Sequence, residues 1–208
     1  MEIIYGTSNQ GKIISMMKIL KDNNIDAKLY TLKDIGFNQE IIEDGETFED
    51  NSDIKANAIK KFCENNDING KIIITDDAGL CIDKLNGRPG VHSARYAGRD
   101  ATQIEKLTKL LSEMSQYERE EERSCTFVCV LTAVLPDGEK IVARGECKGR
   151  VAKTPGRLGG LTYIPIFIPE GFDIPLSDLD ETTYEATHNH RDLAVKQLLK
   201  EFKKRNIK

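Results

Sequence analysis

Apolar and polar residues recur along this chain with two different periods, which predict helices and strands in alternation. Apolar positions three to four residues apart predict amphipathic helices, and short β-branched runs between them predict strands. We expect helices from about residue 10, over 51–62 and 101–115 and near the C-terminus, and strands over 3–5, 27–32, 71–75, 124–135 and 140–151. An Asp-Gly turn between the last two runs predicts a hairpin. The whole pattern indicates an α/β fold.

The most informative stretch for chemistry is Asp76-Asp77-Ala78-Gly79-Leu80, which follows the apolar run over 71–75. An apolar run that ends in two acids predicts a buried strand with carboxylates at its carboxyl end, where open α/β sheets bind ligands. Two adjacent carboxylates indicate a metal-and-water site. Residues next to each other on a regular strand point to opposite faces, so both acids can act together only if the backbone turns, which Gly79 would permit.

The helix predicted over 51–62 carries Ile54, Ala58 and Phe62 at intervals of four, and we expect that face in the core. Asn51 and Lys55 would form a polar stripe beside it. An acidic, glycine-containing loop over 39–48 precedes this helix. It either faces the strand that carries the acid pair or is ordinary solvated surface.

The N-terminal strand is followed by Gly6-Thr7-Ser8-Asn9-Gln10-Gly11-Lys12, which opens the first helix. Free backbone N–H groups, the positive end of the helix dipole and Lys12 would together suit a phosphate group. Ordinary N-capping by Ser8 or Asn9 explains the same residues, and the sequence leaves both interpretations open.

Three further stretches contain candidate binding residues. Arg95 could contact phosphate or form a surface salt bridge. The glycines, aromatics and prolines over 157–171 could line a pocket for a flat ring or form a structural loop. Asn189-His190-Arg191 lies at the start of the last helix.

Composition limits the classes of function. The 208 residues are 39% hydrophobic and 31% charged with a net charge of −4, so we expect a single folded domain over 1–208 without a global attraction to nucleic acid. No apolar run is long enough to span a membrane and the start lacks the features of a signal peptide, so we expect a cytoplasmic protein. Five cysteines without a CxxC pair indicate neither a disulfide framework nor a zinc site.

Taken together, these stretches resemble the inosine triphosphate pyrophosphatase family, also called Ham1 or the non-canonical purine NTP pyrophosphatases. The matching segments are Thr7-Ser8-Asn9-Gln10-Gly11-Lys12, Gly45-Glu46-Thr47-Phe48-Glu49-Asp50-Asn51 with Lys55, Asp76-Asp77-Ala78-Gly79-Leu80, Gly87 to Gly98, Pro165 to Gly171 and His190-Arg191. The resemblance implies an elongated central mixed sheet flanked by helices, with two lobes around an active-site cleft, and a homodimer. It also implies Mg²⁺-dependent hydrolysis of ITP, dITP or XTP to the monophosphate and pyrophosphate.

Carried over position by position, the resemblance makes Asp77 the general base, and a carboxylate with Mg²⁺ beside it can orient and deprotonate water. Asp77, Asp76 and Glu43 are the candidate metal ligands. The candidate substrate-binding residues are Thr7, Ser8, Asn9, Gln10, Gly11, Lys12, Lys55, Ala78, Arg95, Tyr163, His190 and Arg191.

The chain departs from the family pattern in both halves of the site. Ile42 stands where the family has an acidic metal ligand, so Glu43 or Glu40 would have to substitute, and Ala78 replaces a hydroxyl residue. On the base-recognition side, Ile164 replaces an aspartate and Glu185 a lysine. Leu161 and Thr162 also differ from the family's Phe-Gly, and Asn189 replaces a serine. We therefore expect either an enzyme with altered base specificity or a nucleotide-binding homologue with weak catalysis. A Maf-like pyrophosphatase fits the motifs less closely.

Overall fold

The computed structural model describes residues 1–187 and 189–207, with helices and strands alternating through most of the chain. The strands are β1 (Glu2–Tyr5), β2 (Lys28–Thr31), β3 (Ile72–Ile82), β4 (Ser124–Val134), β5 (Lys140–Val151) and β6 (Phe167–Pro169). The helices are α1 (Gln10–Asp22), α2 (Phe48–Asn65), α3 (Gln103–Glu113), α4 (Glu181–Ala186) and α5 (His190–Lys204). None of the helices in these ranges is both long and apolar enough to cross a membrane.

The strands form one mixed sheet in the order β2-β1-β3-β4-β5-β6. β1 pairs in parallel with β2 and with β3, whereas β5 and β6 are antiparallel. The neighbouring strands β4 and β5 are joined by a tight turn, in which Gly138 has a φ of 91° and its N–H donates to Leu135 O. The predicted α/β class and mixed sheet are confirmed, while the cleft between two lobes stays a prediction.

β3 differs from the strand that the sequence predicts, because it does not end at the acid pair. It continues through Asp76 and Asp77 as far as Ile82. The backbone therefore makes no turn at Gly79, and the prediction of two carboxylates at the end of a strand is wrong. Both acids lie within the strand, where buried basic residues compensate the cost of placing charge there.

The chain divides into two compact units, of which the first comprises Met1–Asp77, Cys129–Gly145 and Arg191–Lys208. Its core joins β1, β3 and α2 through the buried residues Ile4, Phe37, Ala56, Ile59, Cys63, Ile73 and Val134. The prediction that Ile54, Ala58 and Phe62 form the core face of α2 holds only in part: Phe62 packs against this core, but all three side chains are only half-buried. The buried face instead includes the polar residues Asn51 and Lys55, because this face meets the acids of β3.

The second unit comprises Ala78–Val128 and Glu146–His190. Its core includes Leu80 and Ile82 from β3, Leu107 and Leu110 from α3, and Phe167. A buried arginine, Arg123, crosses this core and donates hydrogen bonds to the carbonyl oxygens of Met114, Tyr117, Val151 and Ala152 at 2.7–2.9 Å. Carbonyls after the end of α3 thereby gain donors that the helix itself cannot supply.

Candidate active site

Asp76 is fully buried in the first unit, with 1% of its surface exposed. Its Oδ2 accepts from Lys12 Nζ at 2.9 Å and from Arg191 Nη2 at 3.1 Å. Both cations lie in the first turns of their helices, α1 and α5. Burial alone would raise the pKa of Asp76, but Lys12 and Arg191 overcome it and hold that pKa well below the usual range. Asp76 is therefore ionised, and it fixes two basic side chains.

Asp77 has different partners, as expected for the next residue on a regular strand. Its Oδ2 accepts from Asn51 Nδ2 at 3.2 Å, and its Oδ1 lies 3.6 Å from Lys55 Nζ. Burial, together with the charge of Glu43, raises the pKa of Asp77 by more than Lys55, Lys12 and the hydrogen bond from Asn51 lower it, so the net shift is upward. A carboxylate with a raised pKa is a better proton acceptor, which suits a general base.

Lys55 connects the acidic loop to this strand. Its Nζ is 2.5 Å from Glu43 Oε2 and 3.6 Å from Asp77 Oδ1, and only 7% of the residue is exposed. Burial lowers the pKa of Lys55, but Asp77 and Glu43 raise it by more, so the ammonium form is favoured. The acidic loop therefore faces the strand of the acid pair, the first of the two alternatives left open by the sequence.

Gly45 and Thr47 hold this loop against α2. The Gly45 N–H donates to Asn51 Oδ1 at 2.9 Å, and a Cβ on Gly45 would lie 2.6 Å from Asp50 Cβ. Thr47 caps α2, in a capping box with Asp50. Of the two acids offered as replacements at Ile42, Glu43 contacts Lys55 beside Asp77, and Glu40 is exposed.

The N-terminal turn is an N-cap. Asn9 Oδ1 accepts from the Lys12 backbone N–H at 3.2 Å, and Thr7 Oγ1 accepts from the Asn9 N–H. Thr7 is half-buried, whereas the run from Ser8 to Gly11 is exposed. The capping interpretation is confirmed for Asn9, and phosphate binding by this turn stays a prediction that its exposure permits.

Two candidate substrate-binding residues of the second unit are buried in its core. Tyr163 is 2% exposed, packs in the core beside Ile164, and donates its hydroxyl to Ser93 O at 3.1 Å. His190 is also buried and stacks on Phe127 with ring centroids 4.4 Å apart.

The two remaining candidates of this unit are less enclosed. Arg95 is exposed, with its Nη2 3.2 Å from His92 Nδ1, and Ala78 is half-buried in β3. The substrate roles of these four candidates stay predictions, and the side chain of Glu185 lies outside the described residues.

Sequence reasoning missed two polar groups next to the acids. Asn51 was assigned only to a polar stripe, yet it is fully buried and orients Asp77. In the sequence, the position of Asn51 one helical turn before Lys55 indicates that the two side chains lie on the same face of α2. Tyr5 is also fully buried, and burial, followed by the charge of Asp76, raises the pKa of its hydroxyl well above the usual value. In the sequence, only the position of this tyrosine directly after Ile3 and Ile4 indicates its burial.

For a metal ion, the site offers two carboxylates that face one cation. Among the described residues no three His, Cys, Asp or Glu side chains form a metal-binding group. Glu43 and Asp77, however, both contact the Lys55 ammonium. Their oxygens are of the hard type that Mg²⁺ prefers. These two residues fit a divalent cation, whereas Asp76 is engaged by Lys12 and Arg191.

The site thus consists of two buried carboxylates on a strand of an α/β sheet, each beside a lysine. The Ham1 family model matches residues 3–201, and the chain belongs to that family.

Similar proteins cover nearly the whole chain. A dITP/XTP pyrophosphatase from Bacillus licheniformis is 38% identical over 197 residues, which is 95% of each chain. One from Bdellovibrio bacteriovorus is 38% identical over 199 residues, 96% of each. The Ham1 protein of Staphylococcus aureus has a similar structure, with a TM-score of 0.81 and 30% identity over 99% of this chain and 100% of that one.

Proposed function

We propose that this protein is a nucleoside triphosphate pyrophosphohydrolase that converts ITP, dITP or XTP to the monophosphate and pyrophosphate. The observation that carries the proposal is Asp77, a buried carboxylate held by Asn51 and adjacent to Lys55. The similar proteins named dITP/XTP pyrophosphatase support the same activity. The enzyme class agrees with the prediction from the sequence.

In this reaction a water oxygen bonds to the α-phosphorus as the bond to the bridging oxygen of the β-phosphate breaks. Asp77 takes the proton of the attacking water, and its raised pKa favours that transfer. Asn51 holds one carboxylate oxygen, which leaves the other directed toward the Lys55 side. Lys12 and Lys55 supply positive charge for the phosphate oxygens.

Mg²⁺ is the proposed cofactor, with Asp77 and Glu43 as the residues that would hold it. When bound, it would neutralise phosphate charge and lower the pKa of a coordinated water. Asp76, the third candidate ligand, has a different proposed role. Its ion pairs with Lys12 and Arg191 position these two residues for the triphosphate.

Base selection is the part of the proposal in which this chain differs most from the family. Ile164, in place of an aspartate, packs in the core and offers no polar group to a base. A site built around polar groups rejects analogues that lack them, so this exchange is expected to change selection. The test is a profile of turnover with Mg²⁺ against ITP, XTP, their deoxy forms and the canonical NTPs. Strong turnover that is selective for ITP would contradict the altered base selection alone and would leave the pyrophosphohydrolase proposal standing.

The second candidate function is nucleotide binding with weak catalysis. It is favoured by Ile42, which is 72% exposed at the position of the family's acid, and by Ala78 in place of a hydroxyl residue. Pyrophosphate release separates the two functions, since only the enzyme produces it at a useful rate. The homodimer and the cytoplasmic location are further proposals, based on the resemblance and the composition. Light scattering on the purified protein tests the first.

A further inference from the structure

The Lys55 ammonium lies where two carboxylates from separate segments converge. Glu43 comes from the acidic loop and Asp77 from β3, and Lys55 Nζ is 2.5 and 3.6 Å from them. The lysine side chain is 9% exposed, that of Asp77 is 11% exposed and that of Glu43 is 35% exposed, so water screens the Asp77 side of this arrangement weakly and the Glu43 side more. An internal cation is thus paired with the two carboxylates that would hold a divalent ion.

Asp76, next to Asp77 on β3, also forms ion pairs with basic side chains. Asp76 pairs with Lys12 and Arg191, and both of these side chains are largely withdrawn from solvent. Each carboxylate of this site is therefore paired with at least one basic side chain. A free divalent ion would have to displace an ammonium that two carboxylates already hold. Mg²⁺ also gives up its own water reluctantly, so it gains little by entering alone.

A triphosphate changes this balance because it brings several negative oxygens. The ammonium of a lysine is carried on a flexible four-carbon stem, so Lys55 can exchange one anionic partner for another. Once Lys55 binds a phosphate oxygen, Glu43 and Asp77 face each other with one positive charge fewer between them. The pair then needs another cation.

We propose that the Lys55 ammonium is an internal counter-cation for Glu43 and Asp77. It keeps free Mg²⁺ away from these two carboxylates until Lys55 binds a phosphate oxygen of a nucleoside triphosphate instead. The inference rests on the proposed function, which supplies the triphosphate. It adds an order of events: the metal enters with the nucleotide or after it, and never before it.

The test measures binding of Mg²⁺ alone to the full chain by isothermal titration calorimetry, without nucleotide. The Lys55→Met variant keeps the length of the side chain and removes its charge. We expect it to bind Mg²⁺ at least about tenfold more tightly than the unsubstituted protein, which is ~1.4 kcal/mol. Adding Glu43→Gln to this variant should remove the gain, because one of the two carboxylates is then lost.

A matched control is Lys140→Met, which removes the same charge from the same unit. Lys140 Nζ lies 2.5 Å from Asp53 on an exposed face, away from the acid pair. Its Mg²⁺ affinity should equal that of the unsubstituted protein. An equal gain in both variants would overturn the proposal, since net charge alone would then explain the effect.

If Lys55→Met does not fold, the Mg²⁺ affinity of the unsubstituted protein tests the proposal instead. Its Mg²⁺ affinity should rise at least about tenfold when a non-hydrolysable α,β-methylene triphosphate is bound, after correction for Mg²⁺ held by the analogue in solution. Tight Mg²⁺ binding without nucleotide would overturn the proposal. Absence of pyrophosphate release, together with a gain in Lys55→Met, would instead refute the proposed function and leave the counter-cation role standing.

Discussion

Asn51 donates its side-chain amide to Asp77 Oδ2 across 3.2 Å while its own oxygen accepts the backbone N–H of Gly45. The second hydrogen bond fixes which end of the amide faces the carboxylate. The acidic loop thereby sets the orientation of the proposed base through one buried residue. This relationship explains why a glycine is required at position 45, since a Cβ there would lie 2.9 Å from Asn51 Oδ1.

Replacing Asn51 by leucine should impair the proposed base and change its pH dependence. The hydrogen bond from Asn51 lowers the pKa of Asp77, so its loss should raise that pKa further. Asp77 acts in its ionised form, and activity is lost as the pH falls through its pKa. The acid limb of the kcat/KM profile should therefore move to higher pH.

The control for this substitution is Asn57→Leu on the same helix. Asn57 is exposed and contacts Asp53 and Lys140 instead of the acid pair. Its acid limb should coincide with that of the unsubstituted protein. A shift of the same size in both variants would show that Asn51 acts only through the stability of α2.

Replacing Asp76 by asparagine should destabilise the protein, because Lys12 and Arg191 would lose their shared counter-charge. Breaking a buried pair in this way costs about 3–5 kcal/mol. The pKa of Asp76 is lowered in the folded protein, so its ion pairs stabilise the fold above the unfolded-state pKa of about 3.9. This contribution is lost as the pH falls from there through the lowered pKa.

Urea unfolding at several pH values checks this prediction. The difference in the free energy of unfolding between the two proteins should be full near neutral pH and should shrink below about pH 4. A difference that stays constant into strong acid would assign the effect to packing rather than to charge.

Replacing Arg123 by methionine should lower the free energy of unfolding by about 3 kcal/mol or more, since buried carbonyls would lose a charged donor. The guanidinium donates to oxygens of Met114, Tyr117, Val151 and Ala152, none of which belongs to the acid-pair site. Chemical denaturation measures the loss. Arg119→Met is the control, because Arg119 is exposed and solvent screens its surface ion pair with Glu122. Equal losses in the two variants would contradict a special role for Arg123.

The parts of the fold that depend on periodicity could be predicted from the sequence. The order of strands and helices as far as β5 follows from the spacing of apolar residues, and β5 has the predicted bounds, whereas the short elements β6 and α4 were not predicted. β3 could not be predicted past Asp76, because acids inside a strand are stable only with partners distant in sequence. Arg191 lies 115 residues from Asp76, and no local pattern relates the two.

The same reason explains the error in α2. Its more apolar stripe, with Ile54 and Phe62, resembles a core face, whereas the polar residues Asn51 and Lys55 are buried by acids from another segment. Local capping, in contrast, was visible in the sequence, since Asn9 needs only the N–H of Lys12 three residues on. The candidate site was thus predictable in its residue types but not in its pairings.

The most direct test of the proposed function is the release of pyrophosphate from ITP, dITP or XTP with Mg²⁺ by the unsubstituted protein and by Asp77→Asn. Asparagine keeps the shape of the side chain but cannot accept the proton of the attacking water. We predict that the unsubstituted protein releases pyrophosphate without orthophosphate and that Asp77→Asn loses this turnover by about 10²-fold or more while still binding nucleotide. Full turnover by Asp77→Asn would contradict the assignment of Asp77 as the base.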